Sequence, residues 1–271
     1  MTSRAVPGFE APSDLRMRPP GASVIGECLR RQAASPPRSR LGTIFGRSPL
    51  SSLARPWYVG ALGEIAVGRL LDGVGPGWSV LHAVPVGCDG GDIDHLLIGP
   101  AGVFTVTTLL HEGEHRRARD RDPLYAAGVG RRAVAEAARA ARQLSAAAHL
   151  PIGVRALVVT VGARSLSDHA SPEGVLVLRD RDLTRWLRSA PQVWHAGDVA
   201  RISSIAARPG TWMTHRGEHA DPVDVPAFVR LRRQVRRAAG TRAAWVAAGA
   251  LAVPVAVAAS IGAPVVAAML P

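Results

Sequence analysis

The run IDHLLIGPAGVFTVTTL, residues 93–109, restricts the fold more than any other stretch of the chain. Two apolar segments, 93–98 and 103–109, flank Gly-Pro-Ala-Gly, a composition that belongs to a tight turn between strands. Side chains alternate along a strand, so Asp92 and Asp94 share one face and His95 points to the other. Strands mixed with crossing helices place this hairpin in a sheet covered on both faces.

The surrounding pattern supplies the cover. WYVGALGEIAVGRLLDGV spaces Val59, Leu62, Ala66 and Leu70 as a helix, ended by Gly73, Gly75 and Gly77. Residues 78–86 read as a strand ahead of the hairpin, and 131–150 as an Ala-rich helix behind it. Residues 154–163 and 174–180 read as strands, DLTRWLRSA as a short helix capped by Asp182, and 191–212 as holding one more helix. The order α, β, β, β, α, β, β, α, α predicts an α/β fold with a mixed sheet flanked by helices.

The ends differ from the middle. Residues 1–54, rich in Pro, Ser, Gly and Arg, read as a disordered basic tail without a signal peptide. Residues 55–212 form the expected folded domain, and 213–242 a linker with an Arg-rich helix. From 243 to 271 no residue is charged. As a helix that stretch is about 43 Å long against a hydrocarbon core of about 30 Å, so 243–270 is expected to be one C-terminal transmembrane helix. Arg230, Arg232, Arg233, Arg236 and Arg237 stand before it, which predicts contact with anionic lipid or nucleic acid and a folded domain on the cytoplasmic side of the membrane. The net charge is +12, all 33 basic residues are arginine, and two cysteines rule out a disulfide framework.

Three pieces carry chemistry: GALGE (60–64) on a helix, IDH (93–95) on a strand, and the GP…GVF turn (99–104) leading to the next strand. Together they resemble the nuclease-related domain (NERD), a bacterial branch of the PD-(D/E)XK nuclease superfamily, over roughly residues 57–212. The resemblance implies a restriction-endonuclease-like sheet in which carboxylates hold Mg²⁺ and a lysine on the second hairpin strand assists phosphodiester hydrolysis. By position, Glu64 and Asp94 match the helix glutamate and the metal-binding aspartate, and are the metal ligands to expect. The second acid falls on Thr107 and the lysine on Leu109. A hydroxyl and an alkyl group cannot replace an anion and an ammonium, and each such loss costs about 10²–10³ in rate.

The expected function is therefore a catalytically impaired nuclease-related module, binding nucleic acid or acting as a scaffold at the membrane, with no cofactor. The alternative is an active metal-dependent DNA or RNA endonuclease using Glu64, Asp94, Mg²⁺ and a substitute cation, for which Arg116 and Arg117 are the candidates. A third reading gives the arginines to anionic lipid. HEGEH (111–115) reads as a charged loop rather than a metal site, and Ser167, Asp168 and His169 adjoin too closely to form a triad.

Overall fold

The computed structural model describes residues 14–86, 91–110, 123–163, 174–212 and 223–267; side chains at 123–127 and 251–267 are outside this description. Five strands form one sheet in the order β1-β2-β3-β4-β5: Ser79–Pro85, Asp92–Gly99, Gly102–Leu110, Val154–Val161 and Val175–Arg179. β1, β2 and β3 pair antiparallel, while β3–β4 and β4–β5 pair parallel. The mixed α/β sheet expected from the sequence is thus present, and the 93–109 run is its central hairpin. Gly99 pairs with Gly102 across the turn, and Gly102 takes φ +107°, a backbone region that side chains avoid.

The helices in chain order are α1 (Ala22–Ala33), α2 (Arg40–Ile44), α3 (Arg55–Leu71), α4 (Pro123–Ala148), α5 (Asp180–Ser189), α6 (Ala196–Ala206) and α7 (Val225–Ala267). α4 is the crossover that parallel β3 and β4 require. Its buried residues Ala133, Ala137, Ala140, Leu144 and Ala148 recur at helical spacing, and their small size lets the helix lie close to the sheet. On that face Ala140, Leu144 and Ala148 join Leu96, Ile98 and Val103, with Val199, Ile202 and Ala206 of α6. On the other face Val67 and Leu71 of α3 and Leu183 and Leu187 of α5 pack with Leu97, Phe104, Val106, Leu157 and Val159. Asp182 is not the cap of α5: Arg179 occupies that position, and Asp182 pairs instead with Arg179 at 2.7 Å.

Two compact units divide the chain, residues 1–27 with 56–223, and residues 28–55 with 224–271. The tail expected over 1–54 is corrected from residue 14 onward. A short 3-10 turn, Leu15–Met17, precedes α1, and Leu15 and Ile25 are buried. The reason is polar as well as apolar. Ser23 hydrogen-bonds the Asp92 carboxylate, and Arg18 Nη2 lies 3.5 Å from the same oxygen. A half-buried acid at the start of β2 is thereby paired with the segment read as disordered.

α7 runs unbroken for 43 residues, from within the expected linker. Among the described residues no helix is long and apolar enough to cross a membrane, so the span expected over 243–270 has no support here. The arginines occupy the first part of this helix, and the described side chains of its uncharged part are those of residues 243–250.

The order in the N-terminal segment has a measurable energy. Ile25→Ala should lower unfolding stability by about 2–4 kcal/mol in urea titrations. No change would mean that this helix is not part of the fold.

Candidate active site

Asp94 lies near the start of β2, one residue before the His95–Val106 pair that opens the antiparallel register with β3. Its carboxylate accepts the Thr108 amide at 2.7 Å through Oδ2, a bond that fixes the carboxylate and leaves Oδ1 outside it. Across the other edge of β2, the pairs with β1 run from Ser79–Ile98 to Pro85–Asp92, and the 83–94 pair drops out of the ladder. Ala83, opposite Asp94, is buried and takes φ +48°. Local strain of this kind persists only where the surroundings over-determine the backbone, and it gathers at functional sites.

Glu64 reaches the same place from α3. A Cβ at Gly63 would meet Leu110 Cβ and Thr108 Cγ2, each at 3.1 Å, so the glycine is what allows the helix to approach the end of β3 so closely. That explains the Gly-Glu pair: one residue permits the approach and the next delivers the acid. Glu64 and Asp94 are both buried. Burial, reinforced by the fields of Asp94, Asp92 and Glu136 and opposed by Arg132, holds the Glu64 carboxyl well above the usual carboxylate range. Burial, opposed by the Thr108 amide and assisted by Glu136, pushes Asp94 up to about 7.

The pocket also holds two residues that the sequence reading missed. Glu136 of α4 is buried and accepts Thr107 Oγ1 at 3.1 Å through Oε2. Its Oε1 accepts Arg132 Nε at 2.7 Å, one helical turn away. Arg132 is 61% exposed, so it reaches solvent while holding the buried Glu136. Burial works against its charge, but the hydrogen bond to Glu136 and the fields of Glu136, Asp94 and Glu64 outweigh it and raise its pKa. The two hairpin positions carry no charge, as read from the sequence, and an acid and a guanidinium reach the same place from α4. Thr107 supplies no charge itself but tethers an acid from α4, and that acid holds a guanidinium. Leu109, in the lysine position, packs beside Ala133, Ala137 and Val158.

One signal was present in the sequence. Glu136 is the single acidic residue of 131–150, and Arg132 precedes it by four positions. That spacing reads as an ordinary surface pair on an isolated helix. Only the register of α4 over β3 shows it turned toward the sheet.

The other candidates fall elsewhere. Asp92 is committed to Ser23 and Arg18. His95 is buried on the opposite face with its Nδ1 2.8 Å from Nδ1 of His82, and burial and His82 hold its pKa well below the usual imidazole value. Arg230, Arg232, Arg233, Arg236 and Arg237 lie on α7, in the second unit, and Arg230 sits 3.7 Å from Asp224. Arg116, Arg117, the 111–115 run and residues 167–169 are outside the described residues.

Among the described residues no group of three or more His, Cys, Asp or Glu side chains is arranged to hold a metal ion. Glu136 has both oxygens engaged, which leaves Glu64 and Asp94 as donors. Two hard carboxylates suit Mg²⁺ or Mn²⁺, since Mg²⁺ is commonly held by one or two carboxylates with water and substrate phosphate filling the rest. The residues present fit such an ion.

The raised carboxyls carry a sign that can be checked. With Asp94 lifted from 3.8 to about 7, the native state keeps a proton that the unfolded chain releases. This contribution is complete at acid pH and is lost as pH rises through about 7. His95 works in reverse, losing its contribution as pH falls below the ordinary imidazole value of 6.5. Denaturation midpoints measured across this range should show Asp94→Asn gaining stability relative to the parent as pH rises. Parallel curves for the two proteins would contradict the raised Asp94.

No curated protein and no solved structure matches the chain. The family model of the nuclease-related domain matches residues 59–161, somewhat more than a third of the sequence. That stretch includes α3, the hairpin, α4 and β4, and with them every residue of the pocket. The part of the chain that holds Glu64, Asp94, Thr107, Arg132 and Glu136 is the part that matches the nuclease-related (NERD) family model.

Proposed function

We propose that the domain is a metal-dependent nuclease whose second acid and cation have moved from the hairpin to α4. The observation that carries this reading is the Arg132–Glu136 pair at the Asp94 pocket, tethered through Thr107. A pocket that had only decayed would have no reason to keep buried acids together, since an unpaired buried charge is costly.

A divalent ion held there would polarise the scissile phosphate and acidify a water. The chain's own residues do the rest. Glu64 and Asp94 present oxygens from two different elements, with Asp94 fixed by the Thr108 amide. Arg132, largely exposed, is placed to meet a nonbridging phosphate oxygen and to offset the charge that develops on it. Glu136 acts through Arg132: it aims the guanidinium, and Thr107 aims Glu136. The substrate class that suits this pocket is a nucleic-acid phosphodiester.

The impaired-module reading makes the opposite forecast for one assay. Plasmid DNA and a single-stranded RNA are incubated with the full chain and Mn²⁺ or Mg²⁺. Cleavage should require the ion, vanish in Asp94→Asn and Glu64→Gln, and fall by about 10²–10³ in Arg132→Ala. Absence of cleavage with either ion, or cleavage that survives Asp94→Asn, would favour a binding module.

A further inference from the structure

The charge of the chain is not spread evenly. The unit made of 28–55 and 224–271 carries twelve arginines and one acid, Asp224, so the remainder of the chain is close to neutral. Within this unit, residues 243–250 of α7 read AAWVAAGA, and every one of these side chains is exposed, Trp245 by 49% and Val246 by 68%. Eight residues make two helical turns, so the helix is apolar on every side and each of its positions keeps exposed surface. A helix against water or a protein partner shows an apolar stripe and a polar back. One that is apolar all round belongs in a core or in lipid.

The neighbouring chain adds to this surface. The Phe45 ring, 56% exposed, packs 5.4 Å from that of Trp245, and Trp245 Nε1 donates to the Ile44 carbonyl at 2.8 Å. Leu41 and Ile44 are exposed beside them. Gly46 makes this seating possible: at φ +69°, a Cβ there would lie 2.5 Å from the Arg242 nitrogen. Arg40, Arg47, Arg236, Arg237 and Arg242 are exposed near the same segments in sequence. Indole and phenyl rings with their polar edge satisfied, next to arginines and an uncharged helix, form the composition of a headgroup boundary.

We propose that this unit seats on an anionic lipid surface, with Phe45, Trp245 and the 243–250 turns among the acyl-chain boundary and the arginines on headgroup phosphates. Contact with the surface is what the proposal requires, not passage across it. Nucleic acid would satisfy the arginines but leave the apolar turns in water, and a second copy of the chain would cover only one side of them.

Flotation of the full chain, synthesised cell-free with vesicles present, tests this. Vesicles of phosphatidylcholine alone are compared with vesicles half phosphatidylglycerol. The chain should float with the anionic vesicles and stay bound through a high-salt wash. Val246→Glu, which leaves the Phe45–Trp245 contact in place, should lower the bound fraction by on the order of tenfold or more. Arg237→Ser with Arg242→Ser should lower it by on the order of tenfold at low salt. The proposal is overturned if the chain stays unfloated, if Val246→Glu floats equally, if salt or added DNA releases it completely, or if it sediments as a dimer unaffected by vesicles.

Discussion

Carboxylates repel one another, and burial strengthens the repulsion, so a pocket that gathers Glu64, Asp94 and Glu136 needs opposite charge or protons to persist. The domain uses both. Arg132 neutralises Glu136 directly, and its positive field works against the rise of the Asp94 and Glu64 carboxyl pKa values. What remains is taken up by raised carboxyl pKa values. The rest of the site follows from this balance: Thr108 fixes one acid, Thr107 fixes another, and Gly63 lets the third approach. A divalent ion would relieve the same repulsion, which is why electrostatic tension here reads as readiness for a ligand rather than as a packing fault.

The sheet and its hairpin were legible in the sequence because they rest on local rules: alternation, turn glycines and an apolar run with no room for water. Glu64 and Asp94 were legible because each is fixed by its own element. Arg132 and Glu136 were not, because their position depends on how α4 lies over β3, and helical spacing alone makes them a solvated pair. Along β3 itself the acid and lysine positions fall on Thr107 and Leu109, which carry no charge. An acid and a guanidinium stand beside Thr107 from α4, and Leu109 packs against the alanines of that helix.

The N-terminal segment misled for a related reason. Its proline and arginine content resembles disorder, yet Ser23 and Arg18 are the partners of Asp92, and Ile25 is buried. Composition reports whether a segment could fold alone, not whether a neighbour supplies the missing contacts. At the other end, the net charge that suggested a polyanion-binding nuclease belongs almost wholly to the helical unit. The excess of arginine and the carboxylate pocket belong to separate units.

Whether Arg132 does the work of the displaced lysine can be tested by chemical rescue of Arg132→Ala with guanidinium ion in the metal-dependent cleavage assay. Saturable recovery of cleavage, with no recovery when Asp94→Asn is treated in the same way, is the predicted result. An Arg132→Ala protein as active as the parent, or one that guanidinium leaves unchanged, would contradict the migration of the cation to α4.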